Sequence, residues 1–231
     1  TSDEVTGGGH GTRVAGAVLY PNVVPSDGVY QLPCWIRNMR ILDENNCLPE
    51  NVYPPNTIAI AVQKYNVENP IPTKIFNHSI GSRQSCEMKH MTPWAAEIDS
   101  QSYNHDVLFI QAAGNVSTEV ISAYWQAGCP YPEYLDRELC RISNPAQSLQ
   151  AITVGSVSAN ELETDDFIAL GKHMEVSSFS RSGPGIWDVL KPEVVEYGGT
   201  HMYNKGSVPP QLTTPSEVCP ELIRKSPEGP A

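Results

Sequence analysis

Two polar side chains carry the most chemical promise in this sequence. His10 stands in GGGHGTRVAGAVL, where a glycine-rich approach runs into Gly11-Thr12 and then into apolar residues at Val14, Ala15, Val18 and Leu19. That spacing predicts a helix with the histidine in its first turn, and Ala15, Gly16 and Ala17 would let the helix lie close against its neighbours. An imidazole on so rigid a mount suits a general base. Asn115 closes QAAGN behind an apolar run, so its carboxamide is expected at the C-terminal end of a strand, where it could donate to a developing oxyanion. Each has a plainer reading when taken alone. A histidine beside glycines is usually a loop residue, and asparagine after glycine is common turn chemistry.

Other constellations are weaker. Gly7-Gly8-Gly9 lacks both the GxGxxG spacing and the lysine of a phosphate loop, which speaks against nucleotide binding. Cys86-x3-His90 offers two ligand types without a second pair, and no acid-rich loop has calcium-ligand spacing; no metal and no cofactor are expected. His78, His105, His173 and His201 read as surface or packing residues.

The elements that must hold His10 and Asn115 follow from periodicity. Lys74 to Ile80, Asp106 to Ala113 and Ala151 to Val157 read as strands, the last two as nearly continuous apolar runs of the kind buried on both faces of a parallel sheet. Asn38 to Asp43 reads as a further short strand. Thr57 to Tyr65 has helical apolar spacing, and Thr92-Pro93 is a cap with proline in the first turn of a second helix to about Tyr103. Strands alternating with helices imply an α/β fold with a mostly parallel sheet flanked by helices, whose ligands sit beyond the carboxyl ends of the strands. Val116 to Gln150 looks like a long excursion with a short helix near Tyr134 to Cys140, and residues from about Gly199 to Ala231 are expected to be loop or disordered.

Composition bounds the function. The chain has 231 residues and 40% hydrophobic positions, enough for one sizeable domain. Its 26 acidic residues against 15 lysines and arginines give a formal charge of −11, which argues against nucleic acid and anionic membrane as partners. No apolar run approaches the roughly 18 to 20 residues that span a bilayer. Six cysteines without CxxC spacing read as buried free thiols; only Cys129 and Cys140 are close enough in sequence for a loop disulfide, should the compartment be oxidising. The unpaired look of the cysteines and the lack of a leader lean toward the cytoplasm, with secretion kept open. The missing initial methionine, and a motif so near the start, suggest a fragment.

Several stretches together resemble the subtilisin-like serine peptidases (family S8). HGTRVAGAV is similar to their histidine box, AAGN to their oxyanion box, and AITVGSV, SSFSRSGP and KPEVVEYGG to the strand and loops that follow, in the family's order and covering roughly Gly7 to Gly199. The resemblance implies a three-layer α/β/α peptidase domain over residues 1–198, incomplete at both ends, with an irregular segment over 199–231. It implies that His10 is the general base and that Asn115 stabilises the tetrahedral intermediate, loss of the donor costing on the order of 3 to 4 kcal/mol in family members. It further implies that Ser79, Ile80 and Gly81 pair with an extended polypeptide substrate and that Ala112, Ala113 and Gly114 form the other wall of the first specificity pocket. The glycosylation patterns Asn77-His78-Ser79 and Asn115-Val116-Ser117 overlap that cleft, which argues against their use. Asn144-Pro145 matches a Tyr-Pro turn of the family and is the best candidate for a cis bond.

Two departures stand beside these matches. In the family the aspartate lies about 30 residues before the histidine and the serine roughly 150 to 160 after it. Asp3 and Glu4 are too near His10 to orient it and read as solvated charges. The serine box GTSxAxP is missing: Gly199-Thr200-His201 mimics only its start, and Ser207 runs into two prolines, so neither can mount an activated hydroxyl at a helix start. The expected function is a serine endopeptidase of which this chain is an inactive part. The alternative is a noncatalytic peptide-binding or regulatory domain that kept the cleft and lost the chemistry.

Overall fold

The computed structural model describes residues 10–21, 29–43, 45, 47–207, 211–213 and 218, and the backbone of 225–226 and 229–230. Asp3, Glu4, the glycine run 7–9 and Cys219 lie outside the described residues. The chain divides into two units, residues 1–61 with 221–231, and residues 62–220.

In the first unit, helix α1 spans His10–Leu19, with only Gly16 buried. Residues 38–43, expected to be a strand, form none. The apolar residues there are only half-buried and the segment bends on itself instead of pairing: the Asp43 carboxylate accepts from the backbone N–H groups of Asn45 and Cys47, at 2.8 and 2.9 Å. Helix α2 spans Pro54–Val62, its end crossing the boundary between units, and continues as a π-helical turn over Gln63–Val67.

The second unit holds a four-stranded parallel sheet in the order β1-β2-β3-β5. Its strands are β1 (Ile75–His78), β2 (Leu108–Ala112), β3 (Ile152–Val157) and β5 (Val194–Tyr197). Helix α3 (Pro93–His105) crosses from β1 to β2. Thr92 caps it, its Oγ1 accepting from the Ala95 N–H at 3.3 Å, and it ends at Asp106 in a left-handed conformation. The sheet alternates where the sequence predicted burial on both faces. Phe109, Gln111, Thr153 and Val157 are buried, while Leu108, Ile110 and Ala112 on the opposite face are only half-covered. α3 shields the first face through Trp94, whose ring meets His78 edge-on at 5.5 Å. The remaining strand, β5, is fastened to β3 by a buried cation. Lys191 Nζ donates to the Ala151 carbonyl and pairs with Glu193, whose second oxygen accepts from the Thr153 N–H at 2.7 Å.

The excursion after β2 is more regular than its composition predicts. Helix α4 (Thr118–Gln126) is capped by Ser117. Two 3-10 turns, Glu133–Asp136 and Glu138–Cys140, stand where a short helix was expected. Val116, Ile121, Tyr134, Leu135 and Cys140 close into one apolar cluster. Cys129 and Cys140 are both buried free thiols, and burial pushes the Cys140 thiol up to about 11. Asn144-Pro145 is cis, as expected, and so are three other bonds to proline.

Residues 199–207 depart from the expectation of an irregular C-terminal segment. A small antiparallel sheet joins β4 (Phe167–Ala169), β6 (Met202–Asn204) and β7 (Leu212–Thr213). Thr200, His201 and Met202 are buried. A three-residue strand is too short to show a period, so its order comes from partners far away in sequence. The Ser178 hydroxyl accepts from the His201 N–H at 3.0 Å and meets His201 Nδ1 at 2.9 Å. No described helix is long and apolar enough to cross a membrane.

Candidate functional site

Parallel pairing sets the carboxyl ends of β1 and β2 side by side. The register runs Ile75↔Leu108 to His78↔Gln111. Beyond that last rung the two chains continue as Ser79-Ile80-Gly81 and as Ala112-Ala113-Gly114-Asn115, so seven of the eight residues singled out by motif gather at one sheet edge. Both continuations rest on the segment Ser143–Asn144. The Ser143 N–H donates to the Ala113 carbonyl at 2.9 Å and the Ser82 N–H to the Asn144 carbonyl at 2.7 Å. The approach leaves no room for a side chain at Gly114, where φ is +97° and a Cβ would fall 2.3 Å from Ser143 Oγ. Only glycine takes that conformation without strain.

Asn115 follows directly. It is exposed, and its carboxamide makes no hydrogen bond to any described residue. Its backbone is held firmly. Asn115 bridges Ser180 in antiparallel fashion, and Arg181 reaches it from the turn Ser177–Pro184. The guanidinium, on a residue only 5% exposed, donates from Nε to the Asn115 carbonyl at 3.1 Å. Nη1 donates to the carbonyls of Leu139 and Arg141, and Nη2 to that of Arg83 at 2.6 Å. The Arg181 N–H also donates to the Gly114 carbonyl at 3.2 Å. One buried cation therefore ties the oxyanion candidate to the chain that leaves β1. Burial holds the guanidinium below its ordinary range, and its acceptors are neutral carbonyls with no carboxylate among them.

Beneath the two walls lies a polar pair. Gln111 is fully buried, and its Nε2 donates to the carbonyls of Ile80 and Ala112, both at 3.0 Å. His78 Nδ1 stands 2.5 Å from Gln111 Oε1. Because Oε1 can only accept, Nδ1 carries the proton. Nε2 has no partner among the described residues. Burial lowers the His78 pKa, and the bond to Gln111 opposes this in part.

His10 belongs to the other unit, where it is exposed at the first position of α1, as the spacing predicts. The discarded nucleophile candidates have structural duties. Ser207 Oγ donates to the Asn204 carbonyl and accepts from the Gln211 N–H within a turn, and Thr200 Oγ1 donates to the Leu170 carbonyl from a buried position. Cys86 is buried and His90 exposed, and no group of three or more metal-ligating side chains occurs among the described residues.

Comparison with known proteins decides the family. The model of the subtilase family (Peptidase_S8) matches residues 1–221. The chain belongs to the subtilase family. Its parallel sheet with flanking helices is an α/β subtilisin-like fold, in keeping with that family. It is also similar to "Uncharacterized protein y4bN" of Sinorhizobium fredii, with 29% identity over 157 residues, 65% of this chain and 36% of the relative. The chain thus spans little more than a third of that relative's length.

Sequence reasoning missed the supports of this subtilase edge. Arg181 sits among serines and glycines in a turn-rich stretch, where a cation reads as solvated. Gln111 was visible as a polar residue inside an apolar strand, and that was the available signal. Ser143 gave none.

Proposed function

We propose that this chain is part of a serine endopeptidase that hydrolyses peptide bonds through an acyl-enzyme. His10 takes the proton of the attacking serine and returns it to the leaving amine, while Asn115 donates to the oxyanion of the tetrahedral intermediate. Ser79, Ile80 and Gly81 pair with an extended polypeptide, and Ala112, Ala113 and Gly114 form the opposite wall of the pocket for the side chain on the acyl side of the scissile bond. The aspartate and the serine nucleophile match no segment of this sequence and come from elsewhere in a longer protein. One observation carries the reading: an exposed carboxamide with no partner among the described residues stands at the carboxyl end of β2, beside the continuation of β1, on a backbone clamped by Arg181.

The test is labelling of the full-length protein by a fluorophosphonate probe. Labelling should occur and should be lost in His10→Ala; labelling that survives this substitution removes the role given to His10. Asn115→Ala should still label, but turn over peptide amides roughly 100- to 1,000-fold more slowly. The absence of both the aspartate and serine boxes from this sequence favours a second reading, a peptide-binding domain without chemistry. A full-length protein that binds extended peptides and resists the probe would establish it.

A further inference from the structure

The two walls of the proposed cleft are joined by a side chain that the chemistry above does not use. Past the rung His78↔Gln111, no strand pairing joins the continuations of β1 and β2. A buried carbonyl that outruns its ladder needs another donor. Gln111 supplies one to each wall, since Nε2 reaches the Ile80 carbonyl and the Ala112 carbonyl at the same 3.0 Å. The side chain is wholly buried, which is costly for an amide unless its polar atoms are satisfied. Here both are engaged.

The amide has one workable orientation. Turned over, it would aim Oε1 at two carbonyl oxygens and its NH2 group at the Nδ1–H of His78. The two carbonyls therefore fix the direction in which Gln111 donates, His78 holds the opposite end of the amide through Oε1, and Trp94, edge-on to the imidazole at 5.5 Å, packs against the ring from α3. We propose that Gln111, anchored through Oε1 by His78, is a positioning residue that sets the separation of the Ser79–Gly81 and Ala112–Gly114 walls, and with it the size of the substrate side chain admitted between them. What fills the gap rests on the peptidase reading; the strut itself rests on the hydrogen bonds. A methionine would fill similar volume at position 111, so simple packing does not require the amide.

The experiment measures binding of three uncleavable reduced-amide peptides to the full-length protein by calorimetry. The peptides differ only in the residue on the acyl side of the reduced bond: glycine, alanine or phenylalanine. Gln111→Met removes the donor at similar volume, and Gln111→Glu keeps the shape and still accepts from His78 while offering, as the neutral acid, one O–H in place of two N–H donors. In both, the phenylalanine-to-alanine affinity ratio should move by about tenfold or more, the scale on which a pocket senses side-chain size. The glycine peptide should stay within about threefold of wild type. His78→Phe should move the ratio in the same direction, and His78→Asn, whose amide nitrogen replaces Nδ1–H, should restore it.

A ratio unmoved in the Gln111 variants, or equal weakening of all three peptides, overturns the proposal and leaves a packing role. Should Gln111→Met fail to fold, Gln111→Glu and the two His78 variants decide. A wild-type protein that binds none of the peptides and takes no fluorophosphonate label overturns the peptidase reading and this inference together. Binding or labelling with an unmoved ratio overturns the inference alone.

Discussion

Replacing Arg181 by methionine should loosen the segment that ends in Asn115. The guanidinium donates to four backbone carbonyls, those of Asn115, Leu139, Arg141 and Arg83, over 2.6 to 3.1 Å. A hydrogen bond from a charged donor contributes about 1.5 to 3 kcal/mol net. Four such bonds would sum too high, because Arg83, Leu139 and Asn115 are exposed and their carbonyls can regain water, which leaves that of half-buried Arg141. One uncompensated loss gives roughly 1.5 to 3 kcal/mol. Methionine retains much of the aliphatic packing, so the loss falls on the polar contacts. The local readout is hydrogen exchange in the full-length protein at the amides of Val116 and Ser143, which donate to the Phe179 and Ala113 carbonyls. Their opening constants should rise by roughly one to two powers of ten. Arg181→Lys, with a single nitrogen unable to reach all four acceptors, should fall between. Protection altered by less than about tenfold in Arg181→Met would show that the clamp contributes little and that other contacts hold Asn115.

Three further outcomes follow from the geometry. Gly114→Ala places a Cβ 2.3 Å from Ser143 Oγ at φ +97° and should cost roughly 2 to 5 kcal/mol from strain and overpacking. Gly128→Ala, at φ +78° with nothing within 4 Å, should cost only about 1 to 2 kcal/mol; equal shifts in thermal unfolding would refute the steric argument. His78 and His201 are both held below the ordinary histidine range by burial, so the unfolded chain binds protons first. Stability should be full above about pH 6.5 and fall on acidification toward the folded values, by at most about 1.4 kcal/mol per pH unit for each histidine. Denaturant midpoints that stay flat from pH 7 to about 5 would contradict this. Finally, iodoacetamide at about pH 8 should modify exposed Cys34 and Cys47 in the native protein and spare Cys86 and Cys140, whose thiols burial pushes up, the latter to about 11. Peptide mass mapping that finds Cys140 modified as fast as Cys34 would refute its burial.

The sequence by itself determined the family, the three strands β1 to β3 with the helices α1, α2 and α3, and the position of each motif at the end of an element. HGTRVAGAVL predicts a helix opening at His10, and it does. KIFNHSI and DVLFIQAA predict strands of a mostly parallel sheet whose ends carry Ser79–Gly81 and Asn115, and the structure pairs the two directly. Such features are local: apolar period, caps and glycine placement act within a few residues of chain. They also mislead when local signals lack a partner, as over residues 38–43, where the strand pattern ends in an Asp43-capped turn.

Only the tertiary structure decided what holds the edge in place. Arg181 meets Asn115 across 66 residues and Arg83 across 98, and Gln111 meets Ile80 across 31. Nothing in the neighbourhood of Arg181 distinguishes a buried donor from a solvated one, and the apolar strand around Gln111 signals its burial without naming its partners. Whether a guanidinium or an amide is buried depends on which carbonyls the fold leaves without a ladder partner, and that is settled when distant segments close on one another. The same holds for Thr200 and His201, which lie in a glycine-rich stretch without period and are buried because Ser178 and Leu170 receive them.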